Sequence, residues 1–108
     1  MTESEFLSAS ESVLDDIEMA VDAAGLDADF ERKSTGVLEL ELADHSRIVI
    51  NTQTPMRQIW VAAKSGGYHF QSRQGGWHDT RSGEELFAAL SRVLCEQGGV
   101  AVRLAQNS

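Results

Sequence analysis

Apolar residues recur at helical spacing over the first two dozen positions. Phe6, Leu7, Val13, Leu14, Ile17, Ala20, Val21 and Ala24 form one broad stripe, the pattern of an amphipathic helix. Thr2-Glu3-Ser4-Glu5 reads as a capping box, with Thr2 at the N-cap and Glu5 reaching back to it. Gly25 fits the left-handed position past the helix end, and Leu26 supplies the apolar contact that closes it. From residue 29 the period changes to two. Asp29 to Lys33 predicts a short strand. Val37 to Leu42 alternates, with Leu38, Leu40 and Leu42 on one face and Val37, Glu39 and Glu41 on the other.

Ala43-Asp44-His45-Ser46 is a turn, and Arg47 to Asn51 returns with Ile48 and Ile50 inward. After Pro55, Gln58 to Ala63 predicts another strand. Gly66-Gly67 and Gly75-Gly76 turn into two more, Tyr68 to Gln71 and Trp77 to Asp79. Ser82-Gly83-Glu84-Glu85 reads as a second capping box, opening a helix with Leu86, Phe87, Leu90, Val93 and Leu94 on one face. Gly98-Gly99 ends it, and Val100 to Leu104 is expected as a last strand or a docked tail. Short connections require antiparallel pairing. The expected fold is α+β: a two-layer sandwich, with the N- and C-terminal helices on one face of an antiparallel sheet. The other face is left to water.

The 108 residues suffice for one domain, spanning 1–108, with no room for a second core. No apolar run approaches the roughly 20 residues of a membrane span. Met1 to Ser12 has neither a basic nor an apolar signal segment, so no secretory signal is expected. The single Cys95 allows no internal disulfide and no thiolate metal cage. A cytoplasmic address is the simplest expectation.

The formal net charge of -8 is unevenly spread. Residues 1 to 31 hold ten of the seventeen acids and no Lys or Arg, while the rest of the chain is nearly balanced. Such a field repels nucleic acid and anionic lipid, and attracts metal ions and basic protein surfaces. Glu11, Asp15, Glu18 and Asp22 fall within a stripe roughly 60° wide on the first helix. The last two sit where the helix dipole favours cations instead. No Lys or Arg is placed to relieve them, and Asp27, Asp29 and Glu31 extend the ridge beyond the helix. One reading is a solvated helix face that keeps the protein soluble. The other is a set of weak, partly hydrated sites for hard cations such as iron, manganese, magnesium or calcium.

On the open sheet face, Gln58 and Trp60 are expected to point outward near Asn51. A Trp among amides on an uncovered sheet suits protein docking, since aromatics dominate interface energy. The alternative is an indole folded over Gln58 for stability.

The spacing Asn51-x-x-x-Pro55-x-x-Gln58-x-Trp60 resembles the signature of the frataxin family, in its bacterial branch. It is followed by Ala63-Lys64-Ser65-Gly66-Gly67-Tyr68-His69-Phe70 and by Trp77-x-Asp79-x-Arg81-Ser82-Gly83. The resemblance covers essentially the whole chain. It implies weak, labile binding of ferrous and ferric iron through Glu11, Asp15, Glu18, Asp22, Asp27, Asp29 and Glu31, with other divalent cations able to compete. It implies docking on the cysteine desulfurase of the iron–sulfur scaffold machinery, with Asn51, Gln58 and Trp60 as contact residues. A monomer that iron can drive into oligomers is expected. Met19, Ala20, Ala23 and Ala24 stand where the family's first helix often carries acidic pairs, so the ridge is sparser here. Glu39 and Glu41, outward by alternation, add charge to the open face.

Two other functions compete with a non-enzymatic role as iron donor or desulfurase regulator. One is a ferroxidase that oxidises and stores iron, and the other is an interaction module whose metal binding is incidental. Cys95 has no base identifiably paired with it. His45, His69 and His78 are more simply half-exposed polar residues than ligands, and Tyr68 and Trp77 are expected to pack. None of the glycine pairs precedes a helix in phosphate-loop order.

Overall fold

The computed structural model describes residues 1–73, 75–99 and 102–104. Helix α1 runs Glu3–Ala23, and strands β1 (Ala28–Ser34), β2 (Val37–Leu42) and β3 (Arg47–Gln53) follow. A one-turn 3-10 segment, Thr54–Met56, leads into β4 (Gln58–Ala63), β5 (Gly66–Arg73) and β6 (Gly76–Asp79). Helix α2, Leu86–Gly98, closes the fold. The six strands form one antiparallel meander in sequential order, β1 and β6 at its edges.

Alternation decides which residues are covered. Leu38, Leu40, Leu42, Ile48, Ile50, Ile59, Val61, Phe70 and Trp77 are buried in one core with the apolar stripes of both helices. Trp77 meets Phe6 of α1 edge-on, ring centroids 5.9 Å apart, which seats the helix on the far end of the sheet. On α1 the stripe differs from expectation at three places. Ala24 is exposed and forms the C-cap rather than part of the helix. Leu7 is exposed, and Ser10, one turn beyond Phe6, is buried in its stead. The Ser10 hydroxyl donates to the Leu7 carbonyl, so the buried polar group has a partner.

The helix ends follow local chemistry. Thr2 Oγ1 accepts from the Glu5 N–H and Glu5 Oε1 from the Thr2 N–H, completing the expected box. Gly25 takes φ +67° beyond the C-cap. The start of α2 is a correction. Ser82 does not cap it; Glu85 does, its carboxylate accepting from the N–H groups of Phe87 and Ala88. Ser82 is instead held by Asp79, whose carboxylate accepts from the Ser82 hydroxyl at 2.8 Å and from its N–H at 3.3 Å. That turn between β6 and α2 takes up the residues that would have formed the box.

Of the expected last strand, Val100 and Ala101 lie outside the described residues. Val102 to Leu104 form no strand but dock on α2. Leu104 is buried and its N–H donates to Ser91 Oγ, while Cys95 Sγ faces the backbone of Val102.

Candidate functional site

Strand β1 carries two different faces to two different neighbours. Ala28 and Arg32 lie half-buried toward the helix layer; Asp29, Glu31 and Lys33 point the other way and are exposed. Arg32 therefore reaches α1. Its Nη1 donates to Glu11 at 3.0 Å, its Nη2 to Asp15 at 2.7 Å, and its Nε to Glu18. This corrects the expectation that nothing basic relieves the row. The relief comes from outside the helix, at a residue 14 to 21 positions further along. Burial opposes the charge on the guanidinium, and the hydrogen bonds to Glu11 and Glu18 outweigh it, holding its pKa above the usual value. Three of the seven ridge acids are thus tied to an internal cation. Asp22, Asp27, Asp29 and Glu31 are exposed and lie beyond its reach.

The ridge does not stop at the sheet edge. Asp29 lies directly opposite Glu41, and Glu31 opposite Glu39, on the uncovered face of β1 and β2. Like charges facing each other across a ladder are destabilising, and the neighbours show what offsets them. Lys33 Nζ lies 3.0 Å from Glu31, Arg47 Nη1 3.3 Å from Glu39, and His45 Nδ1 2.9 Å from Glu41. The His45 contact holds the Glu41 carboxyl below its ordinary pKa, and Glu31 raises that of Lys33. Asp29 has no ion-pair partner among the described residues. The four carboxylates border a shallow depression of about 390 Å³. Among the described residues no three His, Cys, Asp or Glu side chains converge to chelate a single ion. The surface presents hard carboxylate oxygens from one side only.

Next along the same face come the residues that the sequence marks as a docking candidate. Asn51 and Trp60 are opposite each other on β3 and β4, and Trp60 is opposite His69 on β5. The indole Nε1–H donates to Gln58 Oε1 at 2.8 Å, and Gln53 Nε2 donates to Asn51 Oδ1 at 2.6 Å. The ring lies parallel to the His69 imidazole. Trp60 is half-buried without reaching the core. Asn51, Gln58 and Trp60 thus form one patch, and His69 belongs to it. Trp77 is buried and Tyr68 packs beneath Arg92, as expected for structural aromatics.

Fold and surface together define a class of protein: a two-layer α/β sandwich that presents a charged ridge and an aromatic-amide sheet face rather than enclosing a ligand. A profile of the Frataxin-like domain matches residues 1–100. The chain belongs to the frataxin family. It is 49% identical over 107 residues to an iron–sulfur cluster assembly protein, CyaY, of Cupriavidus metallidurans, covering 96% of each chain. It is 51% identical to its counterpart in Ralstonia nicotianae, covering 96% of this chain and 95% of that one. Among solved structures, frataxin from Psychromonas ingrahamii superposes with a TM-score of 0.90 at 31% identity, covering 98% of this chain and all of the other. Trimeric yeast frataxin complexed with ferrous iron gives a TM-score of 0.66 at 29% identity, covering 93% and 88%. The α+β sandwich expected from the sequence is the fold of this family. No helix among the described residues is long and apolar enough to cross a membrane.

Proposed function

We propose that this protein acts in iron–sulfur cluster assembly as a non-enzymatic, cytoplasmic regulator of the cysteine desulfurase that also carries iron to it. The observation that carries this reading is the continuity of the two surfaces. The acidic ridge passes from α1 through Asp27, Asp29 and Glu31 to Glu39 and Glu41, and there adjoins the patch of Asn51, Gln58, Trp60 and His69. A basic partner surface attracted by the ridge is brought directly over the aromatic patch. Charge supplies encounter rate and orientation, and the desolvated indole supplies binding energy.

Iron is cargo in this scheme. Glu11, Asp15, Glu18, Asp22, Asp27, Asp29 and Glu31 form the anionic field, and its exposed members bind the ion one-sidedly and labilely. Ion and desulfurase compete for the same carboxylates, so iron supply regulates docking. The similarity to proteins named for iron–sulfur cluster assembly, and to a frataxin complexed with ferrous iron, supports the reading.

The test is cluster assembly on a scaffold protein with desulfurase, cysteine and ferrous iron. The protein is compared with its Asp22→Lys/Asp29→Lys variant, both positions lying outside the Arg32 grip. Wild type is expected to change the rate and the variant to leave it at the level without addition. Equal effects from both proteins would end the regulatory reading. Oxygen consumption stoichiometric with iron would favour a ferroxidase instead.

A further inference from the structure

Arg32 is an unusual residue for the place it occupies. It stands on the helix-facing side of β1, opposite the fully buried Leu38 of β2, where alternation calls for an apolar side chain. Its guanidinium spends its donors on three carboxylates of one helix row, Glu11, Asp15 and Glu18. A guanidinium is a planar fork that spreads its acceptors around its rim. A hard metal ion requires the opposite arrangement, with oxygens drawn in to roughly 2.0–2.6 Å of one point. The two arrangements exclude each other, and the row as built does not converge on a single ion.

We infer that Arg32 is a specificity-determining residue: it closes the Glu11–Asp15–Glu18 row to metal ions and confines cation binding to the ridge beyond it. The inference rests on the cation-binding part of the function proposed above. Asp22, Asp27 and Asp29, which Arg32 does not reach, are left as the open ligands, together with the Glu31, Glu39 and Glu41 carboxylates on the sheet face. Lys33, Arg47 and His45 share those last three, but each meets only one carboxylate from an exposed position and is easily displaced. Arg32 differs in being half-buried, in meeting three carboxylates together and in being fixed by its strand. The helix row is thus held ready-neutralised, and iron is steered toward the side that adjoins Trp60.

The test is a Ca²⁺ titration followed by the side-chain carboxylate ¹³C shifts of the Asp and Glu residues, on wild type, Arg32→Gln and Arg32→Lys; a diamagnetic ion shifts chiefly the carboxylates it touches. In wild type, shifts are expected at Asp22, Asp27, Asp29, Glu31, Glu39 and Glu41 and not at Glu11, Asp15 and Glu18. In Arg32→Gln they should extend to Glu11, Asp15 and Glu18 at Ca²⁺ concentrations about tenfold lower than any that affect them in wild type. Arg32→Lys, which keeps the charge and loses the fork, should fall between. A tie that merely fastens β1 to α1 would lower the melting temperature of Arg32→Gln with no gain of Ca²⁺ response at Glu11, Asp15 and Glu18, and that result overturns the inference. So does a wild-type response of these three at the same midpoint as the variant. A response of these three in the variant, with none at the other six in wild type, would uphold the role of Arg32 while removing the cation-binding part of the proposed function.

Discussion

The Trp60 indole lies flat on the His69 imidazole, with ring centroids 4.1 Å apart and planes 7° from parallel. Register places the two side chains side by side on β4 and β5, and the Gln58 amide fixes the indole from its other edge. The ring is therefore presented in one orientation before any partner arrives. Trp60→Ala is expected to weaken desulfurase binding by about 30-fold, the effect of losing a hot spot of about 2 kcal/mol. His69→Ala removes only the stacking support of about 1 kcal/mol and should cost about fivefold. Calorimetric titration gives both values. Binding unchanged by either substitution would move the docking site away from this face.

Ionic strength offers a second check. Attraction between the ridge and a basic surface is screened within a Debye length of about 8 Å at physiological salt. Desulfurase binding is expected to weaken about tenfold or more between about 50 mM and about 500 mM NaCl, mainly through the association rate. Stopped-flow kinetics separates the two rate constants. Affinity indifferent to salt would leave the ridge without a part in docking.

Gly36 tests the β1–β2 hairpin that carries the outer half of the ridge. It sits at φ +81°, and a Cβ there would lie 2.2 Å from Thr52 Oγ1 of β3. Its carbonyl accepts from the Thr52 N–H at 2.8 Å, so the contact cannot simply be opened. Gly36→Ala is expected to cost about 2 kcal/mol, combining left-handed strain with the clash. Chemical denaturation would show a lower midpoint at unchanged slope.

Asp79 makes stability depend on acid in a defined window. Burial pushes its carboxyl up; hydrogen bonds from the Ser82 hydroxyl and from the N–H groups of Arg81 and Ser82 outweigh this, and the pKa lies below the ordinary value. A depressed folded-state pKa contributes stability above the unfolded value of about 3.9, and that contribution is lost as pH falls through the folded one. Asp79→Asn is expected to cost about 1–3 kcal/mol at pH 7, a drop of several degrees in melting temperature. The gap from wild type should narrow steadily below about pH 4. Thermal melts at pH 7, 5 and 3.5 measure it, and a gap independent of pH would show that the charge has no role.

What the sequence reveals and what it hides follow from how local each interaction is. The first helix is readable at both ends because Thr2, Glu5 and Gly25 act within a turn of themselves. The second helix is misread because Ser82-Gly83-Glu84-Glu85 satisfies a capping pattern, while Asp79, three residues earlier, competes for the same serine and wins. The ridge acids are visible from spacing on one helix. Their counter-ion is not, since Arg32 meets them only when β1 lies beside α1. The alternation beginning at Ala28 does place Arg32 on the covered side, and a cation there needs carboxylate company. His69 is visible as a histidine near aromatics, but its stacking on Trp60 depends on the β4–β5 register.

The sequential strand order leaves two rims to the sheet, and both are poor templates for further strands. On β1, Asp29, Glu31, Arg32 and Lys33 place charge at four of seven positions. On β6, only four residues long, the outer side is met by a bridge from His78 to Glu85. Dense charge and short length are how natural sheets resist edge-to-edge addition. Contacts between copies of this molecule therefore find no ready path through the sheet rims, and the growth of fibres by strand addition finds no starting edge.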